Sequence, residues 1–373
     1  MEFISWLGLY VVPFLIILSV VVFVHEWGHY WVARRNGVRV EVFSIGFGSE
    51  IFGFNDADGT RWKFSAVPLG GYVKMLGDAD AASATIDLSK ANDAESFPSK
   101  SVYQRMAIVF AGPAANFVFA ILVMALLFMV QGRPQLTAEV GGVRADSPAA
   151  AAGLLPEDVI VAINGEAVEQ FEELRQAVAE AGTAELMLTV ERDGGILDIG
   201  VTPALPLDDN GQPVEGATPV IGVEAGEVAF QRSNPLIAPV EATIESGRMV
   251  VAILGAVGEI ITGQRSAKEL GGPIRIAQLS GEAAQGGVSS MVWLTVVLSI
   301  NLGLINLFPI PMLDGGHLVM YGIEATRGKP LTERSQEIAF RFGLAMILGL
   351  MVFVTWNDLV YLRVVEFFTG LGS

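Results

Sequence analysis

Apolar residues along this chain come in long blocks. Phe3 to Val24 is a run of 22 residues without a charge. Met106 to Val130 is a second charge-free run, interrupted only by Gly112, Pro113 and Asn116, and Val288 to Leu313 is a third. Phe342 to Asn357 is shorter and closes at Trp356, a residue type suited to the membrane–water boundary. A helix of about 20 residues crosses the hydrocarbon core of a bilayer, so the blocks predict about four transmembrane helices.

Between the first two blocks the pattern changes. Asn36 to Gly77 alternates like a strand and is rich in glycine, in three pieces: Val38–Phe47, Arg61–Val67 and Gly70–Met75. These predict a small sheet or hairpin. The apolar side chains of Ile45, Phe47, Ile51, Phe52 and Phe54 leave two readings open, an ordinary cytoplasmic hairpin and one that dips into the bilayer. Asp78 to Ser99 is polar and predicts a loop. Pro235 to Gly263 is apolar enough for a span, yet it carries Glu241, Glu245, Arg248 and Glu259. A charge at the bilayer centre is costly, so this segment predicts an amphipathic helix lying at the interface.

Composition agrees with a membrane chain: 52% of residues are hydrophobic and 17% charged, with a mean hydropathy of +0.51. The first apolar run is too long for the core of a cleaved leader and lacks a basic segment before it. The net charge of -17 is unevenly placed, with acidic residues far outnumbering basic ones between Gln131 and Gly287. That acidity argues against nucleic acid as a partner. There is no cysteine, which excludes disulfides and thiolate metal sites. Basic residues flank the spans at Arg34, Arg35 and Arg39, at Lys100 and Arg105, and at Arg327, Lys329, Arg334 and Arg341. These flanks predict cytoplasmic loops, with both termini and the acidic insert on the other side.

The chain has three histidines, and two of them form His25-Glu26-Trp27-Gly28-His29 at the end of the first block. On a helix, positions i and i+4 share a face, so both imidazoles can reach one zinc ion while Glu26 takes a proton from water activated beside it. Ionisable groups at such depth are expensive and usually functional. A catalytic zinc site of this kind uses three protein ligands. The candidate for the third is Asp314, with His317 second, in a segment where Pro309 and Pro311 forbid a regular helix. Unwound backbone at membrane depth is tolerated where it lines a cavity. Topology tests the pairing. His25 and His29 lie at the cytoplasmic end of the first span, and two further crossings return Asp314 to that side only if Pro235–Gly263 does not cross.

Two resemblances emerge from these residues. Thr137 to Ala204 resembles a PDZ domain, through Ser147-Pro148-Ala149-Ala150, Ala152-Gly153-Leu154, Asp158-Val159-Ile160 and Ile163-Asn164-Gly165, with a helix opening at Phe171 and a strand over Leu186–Arg192. A PDZ domain implies a peptide ligand added at a sheet edge; a plain spacer is the other reading. The pairing of H-E-x-x-H with Asn306-Leu-Phe-Pro309-Ile-Pro311-Met-Leu313-Asp314-Gly resembles the site-2 protease family of intramembrane zinc metalloproteases. The runs Phe43–Gly48, Pro68–Met75, Gly112–Asn116 and Gly271–Ala277 look like its bacterial regulator-of-sigma-E branch. That resemblance implies an α-helical polytopic membrane protein with a membrane-associated β-hairpin and an inserted PDZ-like domain. Its parts would be residues 1–130, a periplasmic PDZ-like domain at 131–227, an interfacial helix and linker at 228–287, and a second membrane part at 288–373. It implies an inner-membrane zinc endopeptidase whose substrates are single-span membrane proteins already trimmed outside, anti-sigma factors among them, and remnant signal peptides. It further implies zinc on His25, His29 and Asp314, Glu26 as catalytic acid/base, and Asn306 beside the developing oxyanion. Gly46, Gly48, Gly70, Gly71, Tyr72, Pro309 and Pro311 would contact the substrate. The branch's best-known members carry two PDZ domains, whereas Ala204–Glu227 is too short for a second here. A catalytically retired membrane adaptor and a metal transporter are the other classes weighed. Glu26 together with Asn306 counts against both, and the PDZ-like insert against the second.

Overall fold

The computed structural model describes residues 7–78, 93–206, 212, 214, 217–226 and 228–361. Most of the polar segment Asp78–Ser99, and the ends of the chain, lie outside the described residues. Four helices are long and apolar enough to cross a membrane, at Gly8–Arg35, Val102–Val130, Val288–Asn306 and Arg334–Val360. They coincide with the four blocks. The chain divides into two compact units, residues 127–235 forming one and the remainder the other.

In the larger unit a π-helical turn, Leu7–Val11, leads into helix α1, Val12–Arg35, with Pro13 in its first turn, where no amide hydrogen is needed. Strands β1 (Val40–Asn55) and β2 (Arg61–Met75) follow as one long antiparallel hairpin that doubles back on itself. Glu50–Asn55 pairs with Arg61–Ser65, while Val42–Ile45 pairs with Arg61–Phe64 on one side and Gly71–Lys74 on the other. The result is four strand segments in which Gly71–Met75 forms one edge. The chain turns at Gly46 and Gly48, both with left-handed φ near 90°. A Cβ at Gly46 would sit 2.8 Å from the Val67 carbonyl, so only glycine permits that crossing. The three strand pieces read from the sequence are three of these four segments; the fourth is Glu50–Asn55.

The sheet is fastened to α1 by aromatic packing. Phe43 is buried and stacks on Trp62 at 4.2 Å, and Phe23 and Tyr30 of α1 meet its ring edge-on. Burial of the Phe43 side chain contributes about 1.5–3 kcal/mol. The tip is tied down by Asp56, which accepts hydrogen bonds from Tyr30 and Trp62, and by an Arg34–Asp58 ion pair. Phe47, Ile51, Phe52, Phe54, Phe64 and Val67 remain exposed, a grouping of apolar side chains beyond the scattered exposure of ordinary surfaces. Helix α2 (Val102–Val130) follows.

The unit 127–235 is built from short strands. These are β3 (Arg133–Leu136), β4 (Val140–Val143), β5 (Val159–Ile163), β6 (Glu166–Ala167), β7 (Leu186–Arg192), β8 (Gly195–Val201), β9 (Val223–Ala225) and β10 (Val228–Gln231). Helix α3 (Pro148–Ala152) lies between β4 and β5, and α4 (Phe171–Ala181) between β6 and β7. Sheet order is β6-β5-β7-β8, with separate pairs β4-β9 and β10-β3. Ser147 caps α3, Gly153 closes it in the left-handed region, and Asn164-Gly165 turns β5 into β6 with both φ positive. Leu174 and Val178 of α4 bury against Ile160, Leu188 and Val190. Buried Asp158 is paired with Arg192 at 2.6 Å. Burial alone would raise its carboxyl, but the Arg192 hydrogen bonds, the Leu155 amide and the Arg192 charge outweigh that and hold it below the usual range. The described part of Ala204–Glu227 supplies β9 to this same unit.

The larger unit resumes with α5 (Ala238–Ile261), α6 (Pro273–Gln285), α7 (Val288–Asn306), α8 (Asp314–Arg327) and α9 (Glu333–Tyr361). Helix α5 buries Ala238, Ala242 and Ser246, one turn apart, and leaves Val240, Ile244 and Val251 exposed. Helix α6, which no apolar block announced, is gripped at its start by buried Asp358 of α9. That carboxylate accepts from the amides of Gly272, Ile274 and Arg275 at 2.8, 3.0 and 3.1 Å. It thus satisfies amides that a helix start leaves open.

Candidate metal centre

Helix α1 and helix α2 meet through small residues. A Cβ on Gly28 would lie 2.7 Å from Ala115 Cβ and would overlap the Ala111 carbonyl, so the two backbones approach as closely as glycine allows. This brings the His25 and His29 face of α1 onto the Ile108, Gly112 and Asn116 stripe of α2, again one turn apart. His29 Nδ1 donates to the Ile108 carbonyl at 2.9 Å, and Asn116 Nδ2 lies 3.3 Å from His25 Nδ1. With its Nδ1 protonated, His29 presents Nε2 as a lone pair.

Asp314 arrives from the other side of the chain. Helix α7 stops at Asn306, and residues 307–313 form a turn before α8 begins at Asp314. Pro309 and Pro311 keep that turn from becoming helix. Met312 is held there with φ of 86°, a conformation an unbranched side chain adopts only under constraint. Gly315 and Gly316 let the first turn of α8 press against the carbonyls of Leu307, Phe308 and Ile310, where any side chain would overlap. The Asp314 carboxylate is thereby set at a helix start, which favours its charge.

The three side chains converge. Asp314 Oδ2 is 3.1 Å from His25 Nε2, Asp314 Oδ1 is 3.6 Å from His29 Nε2, and the two Nε2 atoms are 3.2 Å apart. One ligand atom from each lies within 4.8 Å of the others. A cavity of about 590 Å³ opens here, lined among others by Glu26, Asn306, His317 and Tyr321. Two carboxylates, Glu26 and Asp314, face it, and no lysine or arginine is among its described lining residues. Half-buried acids that share a cavity without a lysine or arginine call for a cation, and a set of two imidazole nitrogens and one carboxylate oxygen suits zinc. Gly112 provides the room: a methyl there would overlap His29 Nε2 and come within 2.9 Å of His25 Cε1. Gly112→Ala is therefore expected to lose zinc by displacing both rings, and metal analysis of the purified variant against the parent chain checks this.

Glu26 sits between this cluster and the edge of the sheet. The Val73 backbone reaches its carboxylate, and a Cβ on Gly71 would lie 3.3 Å from Glu26 Cγ. Gly70, Gly71 and Tyr72 line the cavity, with Phe47 stacked on Tyr72. Gly46, Gly48, Pro309 and Pro311 do not line it; they shape the bend of the sheet and the turn before α8. His317 lines the cavity between Tyr321 and Phe340 and stands outside the metal-competent group. Ile108 carries no signal in the sequence, and Gly112 and Asn116 enter it as the ends of the Gly112–Asn116 run that carries the family resemblance, without a role of their own. A buried asparagine inside an apolar span was the available signal for Asn116.

Residues 13–350 match the family described as Peptidase family M50. A protein of Agrobacterium fabrum named as a zinc metalloprotease, Atu1380, is 45% identical over 94% of this chain and 95% of its own length. The metalloprotease MmpA of Caulobacter vibrioides is 39% identical over 96% of this chain and 98% of its own. Among solved structures, the PDZ domain of an SdrC-like protein from Listeria monocytogenes is 21% identical, covering 24% of this chain and 87% of that one, with a TM-score of 0.20.

Proposed function

The chain belongs to peptidase family M50, the zinc-dependent site-2 proteases, and from that premise we propose that it cuts single-span membrane proteins within or beside their transmembrane segments. The observation that carries the reading is the convergence of His25, His29 and Asp314 beside Glu26 in one cavity at the end of an apolar helix. His25, His29 and Asp314 would hold zinc. When bound, zinc activates water and polarises the scissile carbonyl. Glu26 takes the proton of the attacking water and returns it to the leaving amine. Asn306, at the cavity wall, donates its amide hydrogens toward the developing oxyanion without adding charge.

A helical carbonyl is hydrogen-bonded and shielded, so the substrate must unwind. The Gly71–Met75 edge supports a place for it, because an extended segment can add to a strand edge and this edge runs past Glu26. The exposed Phe47, Ile51, Phe52 and Phe54 support a hairpin that dips into the bilayer. The basic flanks support a metal centre near the cytoplasmic face of a bacterial inner membrane. The acidic 131–227 segment would then be periplasmic, a single PDZ-like domain that screens or binds trimmed substrates such as anti-sigma factors and remnant signal peptides. The amphipathic charge pattern of α5 supports an interfacial position. The test is reconstitution of the full chain in liposomes with a single-span substrate truncated on its outer side. Cleavage inside the span, lost on chelation and regained with zinc, is the expected result; a zinc-loaded chain that leaves every such substrate intact overturns the proposal.

A further inference from the structure

Asn116 lies in the middle of α2 and is fully buried. Its backbone carbonyl accepts a hydrogen bond from buried Ser299 of α7 at 3.0 Å, which fixes the residue between two helices. Its side chain meets His25 Nδ1 at 3.3 Å, and its Oδ1 has no hydrogen-bond partner among the described residues. A buried carboxamide placed against one atom of a candidate metal-ligating ring needs an account, since leaving a buried polar group unsatisfied is costly.

The two ends of a carboxamide are nearly the same size, so packing permits either to face the ring. The chemistry of the ring separates them. If the amide nitrogen donates, His25 Nδ1 must be a lone pair and the ring proton sits on Nε2, pointing at Asp314 and His29. That ring cannot bind metal through Nε2. If the oxygen faces the ring, Nδ1–H donates to it and Nε2 is free. His29 already follows the second pattern, with Nδ1 donating to the Ile108 carbonyl two turns earlier on the same helix.

We propose that Asn116 is a positioning residue for His25, its Oδ1 accepting the Nδ1 proton and so keeping Nε2 turned to the metal. The proposal rests on the ligand assignment given above. Helix α2 then serves as an outer support for both imidazoles, one through a backbone carbonyl and one through a side chain, with Gly112 between them. Outer hydrogen bonds of this type change metal affinity by about 10–100-fold.

The test uses the full-length, detergent-solubilised protein. Zinc affinity is measured by chelator competition for the parent, Asn116→Leu and Asn116→Asp, and the absorption of the cobalt-substituted forms reports ligand geometry. Leu keeps the volume and removes the acceptor; Asp can accept but cannot donate. The expected result is an affinity about 10–100-fold lower for Leu, with a shifted cobalt spectrum, and an affinity and spectrum for Asp close to the parent. Leu binding zinc as tightly as the parent overturns the proposal, and so does Asp weakening it as much as Leu. Thermal unfolding of the metal-free forms separates loss of the support from loss of the fold. A His25→Ala variant that keeps full zinc affinity identifies failure of the ligand assignment instead.

Discussion

Glu26→Gln is expected to hold zinc as the parent chain does and to cut nothing at a measurable rate. The substitution keeps the shape of the side chain and its place between Gly71 and the metal cluster. It removes the one property the proposed chemistry uses, a carboxylate that takes up a proton and gives it back. Glu26 is not part of the group of three ligand atoms, so metal content should not fall. Loss of a positioned acid/base typically costs about 10²–10⁴ in rate, about 2.7–5.4 kcal/mol of barrier. The measurement is single-turnover cleavage in liposomes beside metal analysis of the same preparation. Parent-like cleavage removes Glu26 from the mechanism. Parent-like binding of an uncut substrate agrees with it and supplies a trap for identifying physiological substrates. A variant that loses both metal and activity would instead place Glu26 among the ligands.

Much of this site could be read from local pattern because its first half is local. His25 and His29 are one helical turn apart, so their shared face is fixed by the geometry of α1 alone. Asp314 lies far away in sequence, and three features pointed to it: an acid at the end of an apolar block, two prolines that break the helix, and the count of membrane crossings. The outer support was harder to see. Ile108 acts through its backbone carbonyl, and no side-chain pattern reports that. Gly112 acts by lacking a Cβ, and its use appears only when α1 is laid against α2.

The fold divides the same way. Four spans and the β5–β6 turn follow from long apolar runs and from Asn164-Gly165. The segment Glu50–Asn55 hides because its apolar side chains face outward, against the rule for a soluble sheet. Helix α8 hides because it opens on two glycines, poor helix formers that here let it press against the preceding turn. Helix α6 is short, and what secures its start is Asp358, near the end of the second apolar span that follows it.

Asp314→Ala carries the second large effect. Without that carboxylate the two Nε2 atoms remain 3.2 Å apart, a pair of ligands where a catalytic zinc site needs three. Charge would be lost as well, because Asp314 is the one carboxylate in the proposed ligand set, Glu26 facing the same cavity from outside that set. The loss of affinity should exceed the about 10–100-fold that an outer hydrogen bond is worth, and cleavage should fall to background at any free zinc level that saturates the parent. Asp314→Asn separates the two causes. It keeps the shape at the start of α8 and leaves only a neutral carbonyl oxygen, so it should lose most of the metal while α8 still packs through Gly315 and Gly316. Metal content at buffered free zinc, read beside thermal unfolding of the metal-free chain, distinguishes an emptied site from a disrupted helix. If Asp314→Ala retains both its zinc and its proteolysis, the centre is not built from these three side chains, and His317, three residues further along α8 and on the same cavity wall, becomes the ligand to test.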